Sequence, residues 1–334
     1  MCCFLLELNP IFADRMVLQA GKPVRVFGRA DLPVTVSFGQ DTVTVDADGF
    51  FTTELPARGY GGPYTLTVQT AADRVELHDV LVGEVLLCAG QSNMQFTMKE
   101  EVTPPAAYRA DERLRLFTAT RPEANQPLGS GDGWLTAQPD GIDNWTALGY
   151  LTGCALRDAG VPAVGIVHAS QGASVIKSWM DTPYLADPLF DIPAEQLFAD
   201  HAYWEYTWNG PTFLYREMLQ PLLPYSFGCV VWYQGESNAS PAESRVYDRM
   251  MAAMVRNWRE ADRDAALPFV MVQIADTRTD EGWLNIQAAQ ERAAAAIPGL
   301  VMVRSADVCE KEMIHPVTKG LLAGRIAAAV PRAE

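Results

Sequence analysis

Three apolar runs in this chain stop abruptly at polar, glycine-bearing clusters. They are Val85-Leu-Leu-Cys-Ala89 before Gly90-Gln-Ser-Asn-Met94, Gly165-Ile-Val-His-Ala169 before Ser170-Gln-Gly-Ala-Ser174, and Cys229-Val-Val-Trp-Tyr233 before Gln234-Gly-Glu-Ser-Asn238. Apolar runs without polar alternation fit strands covered on both faces, as in a parallel sheet packed between helices. Ligands of such sheets sit beyond the carboxyl ends of the strands, which is where these clusters fall.

The same texture continues through the second part of the chain. Strands are predicted over 84–89, 163–167, 228–233, 269–274 and 300–304, with helices over 147–158, 213–219, 242–258, 284–296 and 318–329. Between Val24 and Gln69 the pattern differs. Short alternating runs are separated by turn formers such as Asp46-Ala-Asp-Gly49 and Gly61-Gly-Pro63, the spacing of an antiparallel sandwich. The reading is therefore a β-sandwich accessory domain over 1–80 and an α/β/α domain over 81–334. The stretches 121–140 and 190–208 read as long loops that can shape a substrate site.

Bulk properties exclude several classes of function. At 334 residues and 49% hydrophobic composition the chain can fill a substantial core, and no apolar stretch approaches a membrane span. A net charge of −15 repels phosphate backbones and anionic lipid surfaces, so neither nucleic acid nor membrane is expected as a partner. Six scattered cysteines suit reduced thiols better than a disulfide framework. No metal-ligand spacing is present, and no cofactor is expected. The N-terminus lacks a basic region and a cleavage site, so a cytoplasmic start is expected, though a mature secreted chain would read the same way.

The polar clusters supply acyl-transfer chemistry. Ser92 falls where a strand gives way to a helix, which exposes its Oγ beside backbone N–H groups; a plain helix N-cap would look the same. Gly172 lets backbone approach a ligand closely, and Asn238 offers an uncharged N–H donor where negative charge develops. Ile314-His-Pro-Val-Thr-Lys319, ahead of an Ala-rich helix, brings His315 as a candidate base. Of the other histidines, His78 and His201 read as solvated or structural, whereas His168 ends a strand leading to Gly172 and is an alternative base.

Taken in order, these segments resemble the SGNH hydrolases, and more closely the sialate O-acetylesterase-like carbohydrate esterases. The shared phrases are Ile11-Phe12 with Met16-Val-Leu-Gln19, Gly83-Glu-Val-Leu-Leu-Cys-Ala-Gly-Gln-Ser-Asn-Met94, Trp232-Tyr-Gln-Gly-Glu-Ser-Asn238, Leu267-Pro-Phe-Val-Met-Val-Gln273 and Ile314–Lys319. The resemblance implies an SGNH-type, flavodoxin-like α/β/α domain behind a small sandwich. It also implies removal of a short acyl group, foremost acetyl, from a carbohydrate such as an O-acetylated sialic acid.

Under that resemblance Ser92 is the nucleophile and His315, preferred to His168, is the base. The N–H groups of Ser92 and Gly172 and the amide of Asn238 form the oxyanion hole. Where the family usually has Gly-Gly-Thr this chain has Gly172-Ala173-Ser174, so Ala173 is the donor if the second position serves. Gln91, Gln234 and Glu236 are expected to contact substrate or support the site. The family's orienting Asp is replaced by Met313 nearer the histidine, and Glu312 stands at the farther position. Glu312 is the expected third member, with Asp307, Glu310 or a backbone carbonyl as substitutes. Two other readings stay open: an acetylxylan-type or general short-chain esterase, and a non-catalytic carbohydrate-binding protein with a degenerate triad.

Overall fold

The computed structural model describes residues 5–102, 108–119, 133–185 and 206–333. The N-terminal strands are β1 (Leu6–Leu8), β2 (Val17–Gln19), β3 (Val24–Ala30), β4 (Val34–Phe38), β5 (Asp41–Val45), β6 (Phe51–Leu55), β7 (Gly61–Gln69) and β8 (Arg74–Gly90). The order β1-β3-β6 makes one antiparallel sheet, and β5-β4-β7-β8 faces it. Alternation such as buried Phe51, Thr53 and Leu55 against exposed Thr52 and Glu54 turns one side of each strand inward.

The remaining strands are β9 (Asp111–Thr118), β10 (Leu135–Ala137), β11 (Val164–Ser170), β12 (Cys229–Tyr233), β13 (Phe269–Val272) and β14 (Leu300–Val303). They order as β10-β9-β11-β8-β12-β13-β14, parallel throughout except β10. Along β8, Val85, Leu87 and Ala89 enter one core while Leu86 and Cys88 enter the other, so both faces are covered. Helices Tyr247–Ala261 and Glu281–Ala296 pack on the first face, and Ala147–Asp158 and Gly320–Ala329 on the second, giving three α/β/α layers.

β8 runs unbroken through residue 80, the position expected to divide the chain. Its first half pairs with β7 antiparallel and its second half with β11 and β12 in parallel. The change of texture there coincides with an exchange of partners along one strand. One apolar core also continues from the sandwich onto a face of the parallel sheet.

β9 escaped the sequence reading because alternating charge (Asp111, Glu112, Arg113, Arg115) masks its apolar residues. The helix expected over 213–219 is a π-helical turn, Tyr215–Leu219. Most of the two expected loops, 121–140 and 190–208, lies outside the described residues. Among the described residues the cysteines, Cys88, Cys154, Cys229 and Cys309, are free thiols, and no helix is long and apolar enough to cross a membrane.

Candidate active site

Sheet register brings three of the sequence clusters to one level. Gly90 at the end of β8 pairs with Ser170 on one side and Tyr233 on the other, so Gln91-Ser92, Gln171-Gly172 and Gln234-Gly235 emerge side by side. The strand order reverses around β8, which makes this edge the crevice where parallel sheets hold ligands. Gly90 is required at the exit: its φ is +143°, and a Cβ there would meet the Tyr233 carbonyl oxygen at 2.1 Å. The chain then enters a short helix, Ser92–Gln95, with Asn93 and Met94 buried and Ser92 partly exposed.

His315 arrives from the loop after β14, and its Nε2 lies 2.7 Å from Ser92 Oγ. A serine hydroxyl on an imidazole nitrogen is the arrangement by which a base activates an alcohol. Burial, then the Lys319 ammonium, hold the His315 pKa below its ordinary value, and Glu100 opposes them. The shift favours the neutral ring, the form that accepts a proton. His168 is instead buried within β11 with Nε2 2.6 Å from Ser170 Oγ, and His78 is exposed beside Thr65. His201 lies outside the described residues.

The expected carboxylate is not joined to this pair. Glu312 is exposed, at φ +64°, and no hydrogen bond ties it to His315. Its side chain follows a tight left-handed turn to solvent. Asp307 makes two 2.6 Å bonds to Arg325, and Glu310 accepts from the Thr318 hydroxyl and N–H. Among the described residues, the carboxylate whose charge bears on His315 is Glu100, which accepts from Thr97 N–H at 2.8 Å and its hydroxyl at 2.6 Å.

The three expected oxyanion donors differ in their surroundings. The Ser92 N–H belongs to a first helical turn, whose donors have no intrahelical acceptor. Gly172 faces Ser92, since a Cβ on it would stand 3.8 Å from Ser92 Cβ, and its N–H donates to Gln95 Oε1 at 2.6 Å. Asn238 is fully buried. Its carbonyl accepts from Ile176 N–H and Gln234 Nε2, and its Nδ2 donates to Glu243 Oε2 at 3.1 Å, leaving one amide hydrogen for another partner. Ala173 has φ +55°, a backbone conformation that favours glycine.

Gln91, Gln234 and Glu236 are buried and bound within the protein. Gln91 Oε1 accepts from Gly235 and Ser237 N–H, and Gln234 spans the Ser174 carbonyl, Asn238 and Tyr247. Glu236 Oε1 accepts from Asn93 Nδ2 at 2.7 Å, and burial raises its pKa. A buried ion pair, Lys177 to Glu243 at 2.9 Å, anchors the Asn238 amide. Asn93, Gln95, Lys177, Glu243 and Lys319 received no role from sequence. The available signal was a lysine four residues after His315, immediately before an apolar helix.

A family model described as carbohydrate esterase, sialic acid-specific acetylesterase, matches residues 82–329. The sialate O-acetylesterases of Homo sapiens and Rattus norvegicus are each 27% identical over 93% of this chain, covering 68% and 70% of their own lengths. A carbohydrate acetylesterase from Xanthomonas citri superposes with a TM-score of 0.82 at 34% identity, covering 98% of this chain and 74% of its own. An Arabidopsis thaliana protein with a TM-score of 0.50 and 17% identity, covering 74% of this chain and 97% of its own, shares the fold. The chain belongs to the sialic acid-specific acetylesterase family of carbohydrate esterases, and it is a carboxylic ester hydrolase.

Proposed function

We propose that the protein removes short acyl groups, acetyl foremost, from a carbohydrate, with O-acetylated sialic acid the first substrate to test. The observation that carries this reading is the 2.7 Å contact between Ser92 Oγ and His315 Nε2 at the switch point of a parallel sheet. His315 takes the Ser92 proton as Oγ bonds to the acyl carbon, and the carbonyl oxygen becomes an oxyanion. Collapse of that intermediate breaks the bond to the sugar oxygen, which leaves with the proton from His315. Water, deprotonated by the same histidine, then releases the acid and restores Ser92.

The N–H groups of Ser92 and Gly172 and the free amide hydrogen of Asn238 are the proposed oxyanion donors. For Gly172 to serve, the substrate oxygen displaces Gln95 Oε1 from its N–H. The sugar is proposed from the names of the relatives, because none of these catalytic groups encodes it.

Hydrolysis of p-nitrophenyl acetate, butyrate and octanoate, followed by O-acetylated sialic acid, tests the reading. Acetate preference with loss of turnover in Ser92→Ala supports it. Wild-type activity no greater than that of Ser92→Ala on every ester, with no fluorophosphonate labelling at Ser92, would favour a binding protein.

A further inference from the structure

Asn93 and Ile314 are the chain neighbours of Ser92 and His315, and they are bonded to each other. Asn93 Nδ2 donates to the Ile314 carbonyl at 2.8 Å and to Glu236 Oε1 at 2.7 Å, while its Oδ1 accepts from Lys319 Nζ at 2.8 Å. Resting on the esterase reading above, we propose that Asn93 and Lys319 are positioning residues for the Ser92–His315 pair. Together they supply the registration that, among the described residues, no carboxylate bonded to His315 provides.

The orientation of the Asn93 amide follows from charge. Lysine is only a donor, so the ammonium requires the amide oxygen, and a carboxylate acceptor on the opposite side draws the NH₂ group. A flipped amide would set NH₂ against a cation and oxygen against Glu236. With the amide so fixed, its second hydrogen points at the Ile314 carbonyl and holds the loop carrying His315 against the helix carrying Ser92. Among the described residues, Glu236 Oε2 has no side-chain hydrogen-bond partner, and Oε1 accepts from Asn93.

Lys319 is itself set firmly. It is fully buried, its Nζ stands 4.9 Å from the Phe96 ring centroid and 5.6 Å from that of Tyr233, and its backbone N–H donates to Glu101 Oε1 at 2.9 Å. Phe96 lies just beyond the helix bearing Ser92, and Tyr233 ends β12. The ammonium thus joins three segments of the site. Burial lowers its pKa to about 8, opposed by Cys309, Glu236, Glu310 and Glu101, so it is mainly charged at neutral pH. That charge reaches His315 and works against protonation of the ring, with Glu100 acting in the other direction.

The test compares Lys319→Met and Asn93→Asp with wild type on p-nitrophenyl acetate, with circular dichroism melts of each. Asn93→Asp keeps shape and the acceptor for Lys319 but removes both donations. Each variant is expected to fold and to lose about 10²-fold in kcat with little change in KM, the scale of a small misplacement of reacting groups. Lys319→Met should also move the acidic limb of kcat/KM to higher pH, because the ring loses a nearby positive charge, whereas the fall in kcat at unchanged KM is the readout of positioning. If Lys319→Met fails to fold, Asn93→Asp decides alone. Folded variants with wild-type kcat overturn the positioning roles, wherever the acidic limb falls. Ser92→Ala run alongside separates the two readings: activity that survives it overturns the esterase reading, whereas Ser92-dependent activity indifferent to Asn93 and Lys319 overturns only this inference.

Discussion

Ser92 Oγ and His315 Nε2 stand 2.7 Å apart although 223 positions separate them in the chain. Residues that act as a unit in acyl transfer lose nearly everything when either is removed, on the order of 10⁶-fold in kcat. Ser92→Ala and His315→Ala are each expected to fall by that order, measured as steady-state hydrolysis of p-nitrophenyl acetate. Loss in only one of them would mean the contact is not the reacting one.

Under the proposed mechanism the neutral form of His315 is the base, and a pH dependence follows. Its pKa lies below the ordinary 6.5, so kcat/KM should rise with pH and reach half its plateau below that value. Glu100 is the group opposing this depression, and Glu100→Gln should move the midpoint lower still. A midpoint above the ordinary histidine value would contradict the assignment.

An orienting carboxylate in a serine triad is worth about 10⁴-fold. Glu312 is exposed and unbonded to His315, so Glu312→Gln is expected to leave kcat unchanged on the same ester. A fall approaching the triad value would mean that the loop rearranges to bring Glu312 onto the ring.

The Lys177–Glu243 pair is buried, with side chains 4% and 0% exposed. Removing one partner of such a pair strands the other charge and costs about 3–5 kcal/mol. Lys177→Met should therefore lower the urea midpoint sharply. It should also weaken catalysis, because Glu243 holds the Asn238 amide.

Ala173 occupies the left-handed region at φ +55°. Relief of that strain in Ala173→Gly, less the larger unfolded-state entropy of glycine, leaves a gain of about 0.5–1 kcal/mol. A raised melting temperature with unchanged kcat is the expected outcome; a lowered one would show that the alanine methyl contributes packing that outweighs its strain.

The parallel strands other than β9, the sandwich and the four polar segments were legible in the sequence because each is a local pattern. Apolar continuity marks a doubly covered strand, alternation a half-covered one, and glycine a turn that a side chain would block. The pairing of Gly90 with Ser170 and Tyr233, by contrast, comes from sheet register between strands far apart in sequence. Only that register sets three clusters at one level. Whether Glu312, Asp307 or Glu310 met His315 depended on how one loop turns, and spacing does not encode it. Asn93 and Lys319 were visible as letters of two motifs, but their bond forms only when the loop after β14 returns to the helix after β8. Sequence patterns specify which segments become strands and which residues carry chemistry. Which side chains share hydrogen bonds and charge is a three-dimensional property, decided by packing between segments that are distant along the chain.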